Sequence, residues 1–334
     1  MRAGRIKIST REFKVVDHPV PDPSPLQVRI KVKAAGVCLS DVHLLDSTLS
    51  PGYLKVDEVT MGHEVAGVID GLGEGVSEWK IGDRVIVCAG IRDEKGRVRT
   101  QGFDFDGGFA EFMVADASRL VAIHDELDFE QACIIPDAVS TPWAAITQTA
   151  KVMPGESTAV YGVGGLGIHA VQLLKILGSA PIVAVDPLPL ARERALLIGA
   201  DYALDPNDDE FSKKVRTATN GRGIDIAFDF AGVTVARNQA LPLLAEAGRL
   251  VIIGIANQPI TIPNDMAFVY KRNQILGHYG SEPHHTQELV ALIKAGKLDL
   301  SASITSIYSL EEAEIALRRL EHKIDNPIRI ILKP

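Results

Sequence analysis

Cysteine is scarce in this chain, and the marks of secretion are missing. The 334 residues include only three cysteines, Cys38, Cys88 and Cys133. Three thiols cannot all pair, and secreted proteins held by disulfides use more of them. The first residues, MRAGRIKIST, lack the apolar core of a signal peptide and alternate as a β-strand does. We therefore expect a cytoplasmic protein with reduced thiols.

Long apolar runs and an excess of positive charge are missing as well. No stretch approaches the roughly 20 apolar residues that cross a bilayer, so we expect no membrane partner. The formal net charge is -8, which gives no general attraction for nucleic-acid phosphates. With 46% hydrophobic and 23% charged residues, the composition is that of a globular protein. The length is sufficient for two domains.

The first part of the chain is rich in short strand patterns, and a second pattern follows it. QVRIKVKAAGV, EVAGVIDGLG and GDRVIVCAG predict a barrel-like β domain with few helices. DHPVPDPSPLQ and RDEKGRVRTQGFDFDGG predict a proline-rich loop and a surface loop. From about residue 139 to 280, the strands STAVY, IVAVD, IDIAFDFAG and GRLVIIGIA alternate with helices such as LGIHAVQLLKILG and LARERALLIGAD. This alternation predicts a parallel sheet covered on both faces. Two amphipathic helices, TQELVALIKAGKL and LEEAEIALRRLE, and a last strand, IRIILKP, are predicted in the tail.

A glycine-rich turn connects STAVY to the helix that follows it. GVGGLG fits the dinucleotide-binding pattern G-x-G-x-x-G. The first glycine permits the tight turn, the second lets a pyrophosphate approach the backbone, and the third lets helix and strand pack closely. The pattern is weak alone, but a strand, a helix and a further strand surround it here. The predicted cofactor-binding residues are Gly162, Gly164, Gly165, Leu166 and Gly167.

Asp186 ends the second strand of this predicted unit. A carboxylate there accepts hydrogen bonds from the adenosine ribose hydroxyls and repels a 2′-phosphate, so the sequence favours NAD over NADP. Arg192 and Arg194 follow closely and are able to face a phosphate. An NADP site, or a glycine-rich turn without a cofactor, therefore stays open as an alternative.

Three separate upstream segments carry possible metal ligands. Cys38 lies in GVCLSDVH, His63 in MGHEVAG and Asp137 in IIPDAVSTPW. Zinc accepts thiolate, imidazole and carboxylate, and catalytic zinc sites use three protein ligands and an open position. Each residue also has a simpler explanation: a buried core thiol, a structural histidine and a helix-capping aspartate. Spacing alone does not establish that the three converge.

Together these segments resemble the zinc-containing medium-chain dehydrogenases and reductases, the alcohol dehydrogenase family. The similarity extends through AAGVCLSDVH, MGHEVAGVI, GDRV, DGGFAEF, VMPGESTAVYGVGGLGIHAVQLLKILG and GAD. It implies an α/β protein with a GroES-like, β-rich catalytic domain over residues 1–138, completed by 281–334. It also implies a Rossmann NAD-binding domain with a doubly wound parallel sheet over 139–280. The active site is expected in the cleft between these domains.

The resemblance assigns Cys38, His63 and Asp137 as ligands of one catalytic zinc. The family usually has cysteine where Asp137 stands, and a carboxylate is the harder ligand, which leaves zinc more electrophilic. Glu64 matches a glutamate that approaches the metal during ligand exchange. Asp41 matches a residue that orients the ligand histidine.

Ser40 and His43 match the proton path of the family. Ser40 takes the alcohol proton and relays it through the cofactor ribose to His43, whose pKa near neutrality suits release to solvent. Thr141 matches a residue near the nicotinamide. The simpler explanations are an ordinary turn serine and a surface histidine.

The sequence departs from the family pattern in several places. Many relatives hold a structural zinc with four clustered cysteines, but the segment after GDRV contains only Cys88, so we expect one zinc per chain. Leu39 and Ala191 stand where basic residues often contact the cofactor, which predicts looser NAD binding. Ser40 is smaller than the threonine of some relatives, which predicts room for secondary or bulky alcohols.

The sequence therefore predicts a zinc-dependent, NAD-linked alcohol dehydrogenase that interconverts primary or secondary alcohols with aldehydes or ketones. A reductase of C=C or C=N bonds on the same scaffold is the nearest alternative. A non-catalytic NAD- or zinc-binding protein is an alternative of another class. The small-molecule substrate stays open, and Trp143 and residues 49–54 are candidate pocket residues. We expect a homodimer or homotetramer.

Overall fold

The computed structural model describes residues 1–92, 95–255 and 258–334, which form two compact units. Unit 1 comprises Met1–Ser140 and Ser281–Pro334, and unit 2 comprises Thr141–Gly280. The sequence places the corresponding domain boundaries at residues 138/139 and 280/281. Each unit has its own cluster of buried apolar side chains.

The strands and helices alternate in different ways in the two units. The strands are β1 (Arg2–Lys7), β2 (Glu12–Asp17), β3 (Gln27–Val37), β4 (Glu58–Thr60), β5 (Glu64–Leu72), β6 (Arg84–Val87), β7 (Gly90–Arg92), β8 (Val98–Thr100), β9 (Phe112–Asp116), β10 (Leu120–Ala122), β11 (Thr158–Tyr161), β12 (Ile182–Val185), β13 (Tyr202–Leu204), β14 (Ile224–Asp229), β15 (Leu244–Ile252), β16 (Gln274–Gly277), β17 (Ile304–Ser309) and β18 (Arg329–Lys333).

The helices include two π-helical turns, Ile135–Val139 and Ala145–Ala150, and three 3₁₀ turns, Ala117–Arg119, Ser301–Ser303 and Leu310–Glu312. The α-helices are α1 (Leu39–Leu45), α2 (Phe129–Cys133), α3 (Ser140–Ala144), α4 (Gly167–Leu177), α5 (Pro189–Ile198), α6 (Phe211–Ala218), α7 (Thr234–Leu243), α8 (Asp265–Tyr270), α9 (Pro283–Lys294) and α10 (Ala313–Glu321).

The long strand β3 organises unit 1. The main sheet has the order β10-β6-β5-β3-β18-β17, with β9 also paired to β3, and a smaller sheet has the order β2-β1-β4. Along β3, buried and more exposed residues alternate up to Lys33, and the residues from Ala34 to Val37 are all buried. That change means that one face is covered at the start of the strand and both faces are covered at its end. The β-rich first domain predicted from the sequence is therefore confirmed.

The pairing of β3 determines which distant residues meet at its buried end. Gly36 is the partner of Glu64 on β5, and Val37 is the partner of Ile330 on β18. An added Cβ at Gly36 would lie 2.1 Å from Oε2 of Glu64, so only glycine leaves room for that carboxylate. This pairing makes neighbours of Cys38, which follows β3, Glu64, which begins β5, and Arg329, which begins β18.

Unit 2 contains the parallel sheet that the alternating pattern predicts. Its order is β13-β12-β11-β14-β15-β16, and every adjacent pair is parallel. The strand order reverses between β11 and β14. In open α/β sheets, ligands bind beyond the carboxyl ends of the strands at such a switch point. The Rossmann architecture is confirmed.

Three local predictions differ from the structure. The segment 92–108 is not simply a surface loop: β8 pairs with β7, and Gln101, Phe103 and Asp104 are buried. Within this prediction, residues 93 and 94 lie outside the described residues. The strand predicted over 248–256 corresponds to β15, which begins earlier, at Leu244, and ends at Ile252. Residue 256 lies outside the described residues. Helix α1, over residues 39–45, is not predicted by the sequence.

Among the residues that the structure describes, no helix has the length and apolar character to cross a membrane. All three cysteines are free and buried.

Candidate metal and cofactor sites

Cys38 occupies the junction between β3 and α1. The backbone N–H of Cys38 donates to Oδ2 of Asp41 at 2.9 Å, so a side chain from the first helical turn satisfies one of the exposed amides at the helix start. This bond fixes the turn that carries the thiol. Ser40 and His43 follow on α1, one helical turn apart and both half-buried, and therefore share one face of the helix.

His63 precedes β5, and its ring lies beside a carboxylate and an aromatic ring. Nδ1 lies 3.3 Å from Oδ1 of Asp41, and the ring centroid lies 5.4 Å from that of Phe103. A carboxylate at one ring nitrogen orients the imidazole and leaves the other nitrogen for a ligand. Nε2 is that other nitrogen, and it faces Asp137 at 3.6 Å.

Asp137 lies inside the π-helical turn Ile135–Val139, and α3 begins only at Ser140. It therefore does not cap that helix, which was the simpler explanation for its position. Oδ2 of Asp137 is 3.5 Å from Sγ of Cys38. Single π-turns are rare and occur often at functional sites, because the wider turn redirects a side chain.

The distances between these donor atoms match a tetrahedral zinc site. One atom each from Cys38, His63, Glu64 and Asp137 lie within 4.8 Å of one another. Ligands at about 2.0–2.3 Å from a tetrahedral zinc lie about 3.3–3.8 Å apart. The Cys38–Asp137 and His63–Asp137 distances, 3.5 and 3.6 Å, fall in that range. The donor set and its spacing therefore fit zinc.

Arg329 is part of this site and was not predicted from the sequence. Its Nη2 lies 3.3 Å from Oε1 of Glu64, and both side chains are almost completely buried. Burial raises the pKa of Glu64 and outweighs the lowering effect of Arg329, so that the resulting pKa is about 8. Neither oxygen of Glu64 has a hydrogen-bond partner in the described part of the chain. In the sequence, this contact is indicated by the charged residue Arg329 inside the apolar run IRIILKP.

Burial and neighbouring charges shift the pKa values of two donors, Cys38 and His63. Burial raises the pKa of the Cys38 thiol, and the Asp137 carboxylate adds to the rise. Burial lowers the pKa of His63, but Asp41, Asp137 and Cys38 outweigh burial and raise it well above its usual value. Metal ligands bind in their deprotonated forms, so metal binding here releases protons.

The glycine turn of unit 2 has the geometry that its pattern requires. Gly162 has φ +84, and an added Cβ would lie 2.8 Å from the amide nitrogen of Ala231. At Gly167, the first residue of α4, an added Cβ would lie 1.9 Å from the carbonyl oxygen of Gly162. Gly164 has nothing within 4 Å of an added Cβ, so its backbone is open to a ligand. Gly165 and Leu166 lie between these positions, directly before α4.

Asp186 follows β12 and is held by two backbone amides. Val163 donates to Oδ2 and Leu188 donates to Oδ1, each at 2.9 Å. Val163 belongs to the glycine turn, so this bond joins Asp186 to it. An ionised carboxylate oxygen has a second lone pair, so both oxygens of Asp186 can still accept hydrogen bonds.

A buried ion pair that the sequence did not reveal lies at the end of β14. Nε of Arg237 donates to Oδ2 of Asp229 at 2.7 Å. Arg237 also donates to the carbonyl of Gly254 at 2.8 Å, and Asp229 accepts from the amide of Gly232 at 2.9 Å. The pair therefore connects the loops after β14 and β15, beside the switch point of the sheet.

The weaker predicted positions are placed as follows. Thr141 and Trp143 are buried on α3. Leu49 and Leu54 are partly buried and pack against the core of unit 1. Leu39 is exposed.

Comparison with known proteins identifies the family. The model of the family described as zinc-binding dehydrogenase matches residues 165–295, and that of the alcohol dehydrogenase GroES-like domain matches residues 24–125. The NDMA-dependent alcohol dehydrogenase of Amycolatopsis methanolica is 30% identical, with 93% of each chain covered. The chain belongs to the zinc-dependent alcohol dehydrogenase family. It is an oxidoreductase of the medium-chain dehydrogenase and reductase type.

Further relatives agree in length and fold. Sorbitol dehydrogenase of Bacillus subtilis strain 168 is 29% identical, covering 98% of this chain and 95% of its own. The crystal structure of 2R,3R-butanediol dehydrogenase from Bacillus subtilis superposes with a TM-score of 0.91 at 27% identity, covering 100% of this chain and 99% of its own. Asp137, Gly162 and Gly164 fall between the two matched family segments, so their assignment depends on the geometry above.

Proposed function

We propose that this member of the family is a zinc-dependent, NAD-linked alcohol dehydrogenase that interconverts alcohols with aldehydes or ketones. The observation that carries the proposal is that the Cys38–Asp137 and His63–Asp137 donor distances, 3.5 and 3.6 Å, match the edge lengths of a zinc tetrahedron. Catalytic zinc sites in proteins use three ligands and leave the fourth position open. A zinc held by these residues supplies a Lewis acid that lowers the pKa of an alcohol hydroxyl.

The surrounding side chains support this chemistry. Asp41 orients His63 and also fixes the turn of Cys38, so one carboxylate positions two of the three ligands. Glu64 is kept beside the ligands by Arg329 and by the space that Gly36 leaves. It is thus available to exchange with a ligand without entering solvent.

Ser40 and His43 provide a path for the alcohol proton. Oγ of Ser40 lies 3.8 Å from Sγ of Cys38, at the border of the donor cluster. Ser40 accepts the proton of the alcohol as its own hydroxyl proton passes on toward His43, which lies on the same helical face and releases a proton to solvent. This pair favours alcohol oxidation over reduction of C=C or C=N bonds.

NAD is proposed as the hydride acceptor, bound at the glycine turn with its adenosine ribose on Asp186. The two amides that hold Asp186 fix the direction of its carboxylate, and a carboxylate at this point opposes a 2′-phosphate. We also propose a homodimer or homotetramer and a cytoplasmic location.

The test is a panel of primary and secondary alcohols and ketones, assayed with NAD(H) before and after zinc removal and again after zinc is restored. Cys38→Ser should abolish bound zinc and activity. Cys88→Ser is the matched control, because Cys88 is also a buried thiol of unit 1 but is not in the donor cluster. It should keep both.

Activity that survives chelation would contradict the zinc mechanism. Reduction of C=C or C=N bonds without alcohol turnover would favour the reductase. Zinc and NAD binding without any turnover would favour a non-catalytic binding protein.

A further inference from the structure

Arg192 lies beside Asp186 but is bound to its backbone. The guanidinium nitrogen Nη1 donates to the carbonyl oxygens of Asp186 and Pro187, at 2.7 and 2.8 Å. The same nitrogen lies 3.2 Å from Oδ2 of Asp205. The side chains of Arg192 and Asp205 are 20% and 34% exposed, so the charges are partly shielded from solvent. The charge of Arg192, which lies beside the proposed ribose site, is thus already paired with a carboxylate.

The sheet itself places Asp205 there. Strands β12 and β13 are parallel neighbours with Val185 opposite Leu204, so Asp186 and Asp205 each directly follow the last paired residue. Oδ1 of Asp205 accepts the amide of Asn207 at 2.9 Å, which fixes the carboxylate in a turn. Arg192 belongs to α5, the helix that connects these two strands.

Discrimination between NAD and NADP depends on charge at this point. A carboxylate that binds the ribose hydroxyls selects NAD, whereas a nearby arginine accommodates the 2′-phosphate of NADP. Both kinds of residue are present here. Whether Asp186 or Arg192 determines the cofactor preference depends on whether the Arg192 guanidinium is free to contact a 2′-phosphate.

We propose that Asp205 is a positioning residue for cofactor specificity: it neutralises Arg192 and holds it on the carbonyls of Asp186 and Pro187, so that the Arg192 guanidinium is not offered to a 2′-phosphate. This inference rests on the proposed NAD-linked function. It assigns selectivity to a side chain that acts only through Arg192.

The experiment measures binding of ADP-ribose and 2′-phospho-ADP-ribose by calorimetry, without substrate or turnover. Asp205→Asn keeps the shape of the side chain and removes its charge. The ratio of affinities should move by about tenfold toward the phosphorylated ligand, which corresponds to about 1.4 kcal/mol. Affinity for ADP-ribose should change by less than about twofold, and the shift should shrink at high salt.

Two further variants identify the route of the effect. Asp209→Asn removes an equal charge from an exposed position nearby and should leave the ratio at its parental value. The double variant Arg192→Gln/Asp205→Asn should return the ratio to near the parental value, because the guanidinium that Asp205 holds is no longer there to bind the phosphate. A general loss of structure would weaken both ligands and would not reverse in this way.

An unchanged ratio in Asp205→Asn overturns the inference. So does a shift that persists in the double variant, since Asp205 would then act by direct repulsion. A parent protein that binds neither ligand overturns the proposed function and this inference with it. If the parent binds ADP-ribose, the proposed cofactor site is supported, and the ratio measured for Asp205→Asn then tests the role of Asp205 by itself.

Discussion

Replacing Arg237 by methionine should destabilise unit 2 strongly, although methionine retains much of the apolar bulk of the side chain. The change removes the only charge that balances the Asp229 carboxylate among its contacts described above. The two side chains are 5% and 1% exposed, so water cannot substitute for the lost partner. The carbonyl of Gly254 loses a donor at the same time.

The size of the effect follows from this burial. Removing one partner of a buried ion pair costs about 3–5 kcal/mol, because the other charge stays behind. Asp229→Asn should cost a similar amount, since it leaves the guanidinium buried. The double variant Asp229→Asn/Arg237→Met contains no buried charge, and its main loss is the unpaired Gly254 carbonyl, about 1–3 kcal/mol. The double variant should therefore be more stable than either single variant.

The loss should also depend on pH. Burial raises the pKa of Asp229, while Arg237 and the amide of Gly232 lower it. A carboxyl whose pKa is higher in the folded than in the unfolded protein favours folding fully below its unfolded pKa of about 3.9. That contribution is lost as the pH rises through the folded pKa. Without Arg237 the folded pKa rises further, so the deficit of Arg237→Met should grow between about pH 5 and about pH 8.

Urea unfolding followed by circular dichroism measures these differences against the parent protein at both pH values. Arg237→Lys is the matched control, because it keeps the charge while losing the bond to Gly254 or to Asp229. It should fall between the parent and Arg237→Met. A deficit in Arg237→Met that is below about 1 kcal/mol, or equal at both pH values, would refute the reasoning.

Four further predictions concern the metal site, the cofactor site and the proton path. The parent should contain about one zinc per chain by elemental analysis; Asp137→Ala should lose it and Asp137→Cys should retain it, and two zinc ions in the parent would contradict the single-site assignment. Gly167→Ala should lower the free energy of unfolding by about 1–3 kcal/mol because its Cβ would meet the Gly162 carbonyl. Gly164→Ala should fold normally yet bind ADP-ribose more weakly, and unchanged binding would argue against a pyrophosphate there. His43→Gln should lower kcat/KM at least about tenfold; an unchanged kcat/KM would exclude His43 from the proton path.

The elements that the sequence predicts well are those with long buried runs or glycine-bounded ends. Strand β3 and helix α4 are examples, because burial on one or both faces leaves a clear periodicity. Helix α1 spans seven residues, which is too short for a helical period to show. The polar sequence of the β7–β8 hairpin predicts a surface loop, because it gives no sign that Phe103 and Gln101 are buried.

In the candidate site, too, the residues with a local sequence pattern are predicted and those without one are not. Cys38, His63 and Asp137 were found because each is a ligand-type residue in a segment that resembles a family. Arg329 was missed, because its partner Glu64 is distant in sequence and the two meet only through the pairing of β3 with β5 and β18. Asp205 was missed for the same reason: parallel pairing brings it level with Asp186. Cross-strand neighbours of this kind leave no local pattern.

If zinc binds at the three proposed donors, their origin in the chain has a consequence for how the protein matures. One follows β3, one precedes β5 and one lies in a π-turn, so the unfolded chain contains no local chelate of the kind that closely spaced cysteines form. Zinc capture must then wait until strand pairing and the π-turn are complete, in contrast to zinc fingers, whose folding the metal drives. Zinc supply in a cell would accordingly set the fraction of chains that are active rather than the yield of folded chains.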